Sequence, residues 1–117
     1  MPQIQKRHIE PDIVLVEISG QITLGRECQI VEWTVDDLIR DSHKMVVFDL
    51  SGLEYVDSTG IGIIVMCCGK MHAAGGELRV ASIQPRVAEL MRITKLHQIM
   101  VFYPTAAAAA ENFEITE

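Results

Sequence analysis

The chain has 117 residues, enough for one domain around a single core and too few for two. Hydrophobic residues make up 49% and charged residues 22%, which excludes wholesale disorder, and ten Lys and Arg against sixteen Asp and Glu leave a formal net charge of -6. That acidity argues against nucleic acid as a direct partner, because no segment gathers the basic side chains that phosphate-backbone binding needs.

In chain order, Gln3 to Glu10 alternates loosely and ends at the turn signal Pro11-Asp12. Ile13 to Gly20 is rich in β-branched residues and reads as a strand, so the two segments predict an antiparallel hairpin at a sheet edge. From Leu24 the period changes. Leu24, Cys28, Val31, Val35, Leu38 and Ile39 fall at helical spacing, which predicts an amphipathic helix lying on the sheet. Trp33 sits off that stripe, as a flank contact or as a partner contact.

Met45 to Leu50 is almost wholly apolar, as expected of a central strand buried on both faces. A second helix starts at about Thr59 and stops near Ala73-Ala74-Gly75-Gly76, whose glycines permit a left-handed turn. Glu77 to Ala81 alternates as a short strand, and Pro85 suits the first position of a third helix carrying Val87, Leu90, Met91 and Thr94. Met100-Val101-Phe102 reads as a last strand, and Thr105 caps a helix built from the alanine run. The order β-β-α-β-α-β-α-β-α predicts one α/β domain over residues 1–117. Its sheet is mixed and mostly parallel, with an antiparallel N-terminal edge hairpin, about four helices and right-handed crossovers.

The longest apolar run, Ile61 to Cys68, falls well short of the roughly 20 residues that span a membrane, and the polar start Met1 to Lys6 lacks a signal-peptide core. Together these predict a cytoplasmic protein with no membrane insertion. Cys28, Cys67 and Cys68 offer neither C-x-x-C spacing nor a disulfide framework, and their apolar surroundings read as buried free thiols. The histidines His8, His43, His72 and His97 are scattered without metal-ligand spacing. No phosphate loop or G-x-S-x-G elbow accompanies the glycines near residue 60, so neither a cofactor nor enzymatic chemistry is expected.

The most informative stretch is Asp57-Ser58-Thr59-Gly60, a polar turn joining the apolar strand to the apolar helix. Such a junction carries unpaired backbone N–H groups and the positive end of the helix dipole. Ser58 and Asp57 are both able to cap the helix, and three polar side chains in a row exceed what one helix start requires. Loops at the carboxyl ends of parallel strands are also where open α/β sheets present functional groups. Local physics leaves cap and exposed hydroxyl both open. Ile63, Met66 and Cys67 extend the helix's apolar character beyond one stripe, through burial on two sides or through a partner groove beside Ser58.

The segment from Val47 to Gly62, through Asp49-Leu50-Ser51-Gly52 and Asp57-Ser58-Thr59-Gly60, resembles the signature of the STAS domain. More narrowly, it resembles bacterial anti-sigma factor antagonists. The resemblance continues through Ala74 to Leu78, Val87 to Leu96 and Phe102 to Thr105, and is weaker before Lys44. It implies that Ser58 is the phosphoacceptor for a serine kinase that doubles as an anti-sigma factor. The unphosphorylated antagonist would hold the kinase and free a sigma factor, and a serine phosphatase would reset it.

The implied partner surface comprises Asp57, Ser58, Thr59, Gly60 and Thr23 with Ile63 and Met66, and the domain would have no catalysis of its own. In one place the chain departs from the family, where Gly20-Gln21-Ile22-Thr23 carries threonine at a position commonly occupied by aspartate. Other roles compatible with the resemblance are a docking subunit of a stress-signalling complex or of a lipid-transport ATPase. A small-ligand or nucleotide sensor using the same loop is a third.

Overall fold

The computed structural model describes residues 3–9, 12–95 and 101–111. Five strands form one sheet in the order β1-β2-β3-β4-β5: β1 (Gln3–Ile9), β2 (Ile13–Ile22), β3 (Met45–Val56), β4 (Glu77–Ala81) and β5 (Phe102–Tyr103). β1 runs antiparallel to β2, and the remaining neighbours are parallel. Helices α1 (Arg26–Arg40), α2 (Ser58–Ala73), α3 (Pro85–Ile93) and α4 (Ala106–Ala110) complete the mixed α/β fold expected from the sequence. Pro11, His97 and Met100 lie outside the described residues.

The two faces of the sheet are covered unequally. Helices α1, α2 and α3 bury Val31, Val35, Ile64, Met71, Val87 and Met91 against Val16, Ile18, Phe48, Leu50 and Val80 in the main core. At about 1.5–3 kcal/mol for each large apolar side chain removed from water, this layer holds most of the fold's driving force. The opposite face has a smaller cluster of Ile13, Leu15, Val47 and Ala81, closed by Ala109 of α4. Alanine has the strongest helix propensity, and its small side chain lets α4 lie close to the strands. Thr105 caps this helix as predicted, accepting from the Ala108 N–H at 3.0 Å. Arg79 Nη1 donates to the Ala109 and Glu111 carbonyls at 2.9 and 2.8 Å, and its guanidinium lies 5.2 Å from the centre of the Tyr103 ring.

Three sequence expectations change. β3 does not stop at Leu50; it continues to Val56 and pairs with β2 as far as Ile22↔Val56, through register shifts at Glu17/Ser19 and Gly20/Gln21. Ser51 and Gly52 interrupt the apolar pattern there. A Cβ on Gly52 would come within 2.7 Å of the Ser19 Cβ, so the glycine allows the irregular strands to close. Pairing with β4 ends at Asp49↔Ala81, so the rest of β3 projects beyond β4 with Leu53 and Val56 buried and Glu54 and Tyr55 exposed. Second, Leu24 is not part of the α1 stripe: the helix begins at Arg26 and Leu24 is 75% exposed. Third, β5 includes Tyr103, whereas Val101 lies before it.

Candidate functional site

The projecting ends of β2 and β3 deliver the loops 23–25 and 57 to the same corner of the molecule, where α1 and α2 begin. Asp57 holds this corner together. Its Oδ1 accepts from the Gly60 N–H at 2.7 Å, and its Oδ2 accepts from the Leu24 N–H at 3.0 Å. The Asp57 N–H in turn donates to the Ile22 carbonyl at 3.3 Å. These bonds stabilise the ionised carboxylate, the one from Gly60 most and that from Leu24 next, and hold its pKa below the ordinary value.

Of the two residues able to cap the helix, Asp57 is the one that does. One carboxylate satisfies α2 and binds the loop before α1, a span that a serine hydroxyl is too short to bridge. Ser58 becomes the first residue of α2, and both Ser58 and Thr59 are exposed. Gly60 has the opposite character. It is buried, and a Cβ there would meet the Ile22 carbonyl oxygen at 2.3 Å and Val56 Cγ2 at 2.5 Å. Only glycine lets α2 begin this close to the end of β2.

Thr23 lies at the same corner and donates its hydroxyl to the Glu27 carboxylate. Glu27 was not singled out from sequence, yet it places a carboxylate beside Thr23. The sequence signal was the i, i+4 spacing of Thr23 and Glu27 across the α1 start. Beneath them Cys28 is buried and donates from Sγ to the Thr23 carbonyl at 3.1 Å. Burial pushes its thiol pKa up, and the negative charges of Asp57 and Glu27 push it further.

Along α2 the candidate partner residues separate. Cys67 is fully buried, Ile63 is half-buried against the core, and Met66 is 39% exposed. Burial on two sides thus describes Cys67, while Met66 remains on the surface with Ser58, Thr59 and Gly62. Burial raises the thiols of Cys67 and Cys68 to about 12 and about 11, which keeps them protonated and poorly nucleophilic at neutral pH. Among the described residues no three His, Cys, Asp or Glu side chains converge on a metal site, and no helix is long and apolar enough to cross a membrane. A groove of about 240 Å³ lies between Tyr55 and Val56 of β3 and Val87, Leu90 and Ile93 of α3, a second feature hidden while β3 was read as ending at Leu50.

The mixed five-stranded sheet with four helices is the architecture of a known α/β domain family. The family model of the STAS domain matches residues 3–109, and the chain belongs to that family. Among curated proteins it is similar to the anti-sigma F factor antagonist of Paenibacillus polymyxa, 27% identical over 97% of this chain and 96% of that protein. The fold is shared with a solved Thermotoga maritima protein, TM1081, at a TM-score of 0.84, with 21% identity over 94% of this chain and 93% of that one. It is also shared with the Bacillus cell fate determinant SpoIIAA in its phosphorylated form, at a TM-score of 0.69, with 15% identity over 92% of this chain and 96% of that one.

Proposed function

We propose that this chain is an anti-sigma factor antagonist that works by partner switching. Unphosphorylated, it binds a serine kinase that also serves as an anti-sigma factor, and so frees a sigma factor in the cytoplasm. Phosphorylation of Ser58 ends the binding, and a serine phosphatase restores it. The observation that carries this reading is the division of labour at the α2 start, where Asp57 caps and leaves the exposed Ser58 hydroxyl outside the cap. The names of the sequence relative and of the phosphorylated structural relative support it.

The energetics of a switch follow from the same corner. Phosphate adds about -1.5 to -2 charges next to Asp57 and near Glu27. Within the fold that charge sits at a helix N-terminus, whose dipole and free N–H groups offset part of the repulsion. At an intermolecular contact there is no such compensation. A dianion must be desolvated against a surface shaped for a hydroxyl, so the partner lets go while the domain stays folded.

Thr59, Gly60 and Thr23 frame the serine, and Ile63 and Met66 extend the contact along α2.

The test is mass spectrometry after incubation with purified candidate anti-sigma factor kinases and ATP, paired with binding measurements. Phosphate confined to Ser58 is expected, with Ser58→Ala binding the kinase but accepting no phosphate and Ser58→Asp binding weakly. Equal affinity of the kinase for wild type, phosphoprotein and Ser58→Asp would sink the mechanism.

A further inference from the structure

Among the described residues, α1, α2 and the loop before α1 carry three large exposed apolar side chains: Leu24 in the loop at 75%, Trp33 on α1 at 55% and Met66 on α2 at 39% exposure. Trp33 is the chain's single tryptophan. Packing does not account for it, since α1 faces the core with Cys28, Val31, Val35 and Leu38.

Its position relative to α2 is fixed by Lys70, whose Nζ binds Glu32 Oε2 at 2.7 Å and Asp36 Oδ1 at 3.0 Å. Helical side chains lean toward the N-terminus, so Lys70 draws the Glu32–Asp36 turn level with the α2 turn that carries Met66. Trp33 follows Glu32 by one residue, about 100° further round the helix and so away from the core. Trp33 and Met66 therefore border one outward seam between the two helices.

The seam is continuous with the switch corner. Leu24 is tied to it by the bond from its N–H to Asp57. Met66 lies eight residues beyond Ser58 on α2, a rise of about 12 Å. A partner protein covering Ser58 with a standard patch of about 800 Å² would extend over that distance. The surroundings carry a net negative charge: Glu27, Glu32, Asp36 and Asp37 of α1 and Asp41 at its C-terminal cap stand against Arg26, Arg40 and Lys70, with Lys70 paired to Glu32 and Asp36 and Arg40 paired to Asp37. An exposed aromatic and methionine within a charged rim is the composition of an interface anchor.

We infer that Trp33, flanked by Leu24 and Met66, is a second docking anchor that seats in a basic-rimmed apolar pocket of the same kinase that reads Ser58. The inference rests on the proposed function. It adds that affinity comes largely from the α1–α2 seam, while Ser58 controls whether that affinity is realised.

The single tryptophan makes the test site-specific. The kinase that phosphorylates Ser58 serves as the probe, and the antagonist is labelled with 5-fluorotryptophan. Adding the kinase should shift the lone fluorine resonance for the unphosphorylated protein and leave it in place for the phosphoprotein. Calorimetry should show Trp33→Ala binding at least about tenfold more weakly at unchanged Tm. Gln29, exposed and one turn before Trp33, allows a change of charge alone: Gln29→Lys should weaken binding and Gln29→Glu should not.

An unmoved resonance on a kinase that binds, or wild-type affinity for Trp33→Ala, overturns this inference and leaves the switch at Ser58 standing. So does self-association of the wild type that Trp33→Ala abolishes without changing kinase affinity, since the seam would then serve a second copy. If no kinase binds the wild type or phosphorylates it, the proposed function fails and takes the seam with it.

Discussion

The two ends of α2 are built from the same device and serve opposite ends. At the start, Gly60 brings the helix against the Ile22 carbonyl; just past the end, Gly76 brings the chain against the Lys44 carbonyl, which a Cβ would meet at 2.5 Å. The C-terminal end is closed. Gly75 has a φ of 86°, the Gly75 N–H reaches the His72 carbonyl at 3.0 Å, and the Gly76 N–H reaches the Met71 carbonyl at 2.9 Å. That pair of bonds is a Schellman motif, and Lys44 Nζ binds the Ala74 carbonyl beside it. The N-terminal end is left open. One carboxylate serves as the cap, and two hydroxyl side chains face solvent. A helix end held so tightly can carry a change of charge without moving, which a switch requires.

The largest effect that tests this comparison is at the two glycines. Gly60→Ala drives a Cβ into backbone at β2 and should cost about 3 kcal/mol or more, with Gly76→Ala somewhat less severe, both read by urea denaturation. Whatever fraction of each still folds should differ in function. Gly76→Ala should accept phosphate from the kinase normally, and Gly60→Ala should not, because only the latter displaces Ser58.

Next comes the cap. Asp57→Ala should cost about 1–2 kcal/mol, since it unties both the α2 start and the Leu24 loop. Because the folded-state pKa of Asp57 is depressed, its ionised clamp contributes fully above the ordinary carboxylate range, and the contribution is lost as pH falls through the lowered folded value. Asp57→Asn retains a capping side chain and should flatten that part of the acid limb. An unchanged acid limb in Asp57→Asn, followed by denaturation between neutral and acidic pH, would remove Asp57 from the account.

Smaller effects separate the open end from the rest of the helix. A Cβ at Gly62 or Gly69 meets nothing within 4 Å, so either alanine variant should gain about 0.5–1 kcal/mol from helix propensity. Kinase affinity should fall for Gly62→Ala, which lies one turn from Ser58, and stay level for Gly69→Ala. Smallest of all is Ser58→Ala. With the cap on Asp57, its stability should stay within about 0.5 kcal/mol of wild type in a thermal melt. A loss of more than about 1 kcal/mol would return the capping role to the serine.

Much of the architecture was legible in the sequence because it follows from local periodicity. The apolar run of Val46-Val47-Phe48, the stripe Cys28-Val31-Val35-Leu38 and the Ala-Gly-Gly stop after α2 each point to one element type. What escaped depended on backbone breaks and on contacts that side-chain period does not show. The β3 extension looked polar because Ser51, Glu54 and Tyr55 are exposed where β3 runs past the end of β4. Leu24 looked like helix stripe because spacing cannot show that Gly25, at a φ of 111°, breaks the chain before α1. At the site, the polar run 57–60 was visible, but its division of roles was not. Glu27 also went unnoticed, because its bond to Thr23 crosses the loop into α1.

The sequence by itself determined the class of fold and the family, because side-chain period and a polar, glycine-containing turn are local properties of the chain. It also narrowed the switch to a few polar residues. Only the tertiary structure decided which of them caps and which faces out. That choice depends on the Leu24 N–H reaching Asp57 from another loop, and on β2 ending where Gly60 alone can fit. The reason is geometric: a carboxylate with two oxygens can satisfy two loops at once, and no pattern along a single strand of letters shows that the loops meet.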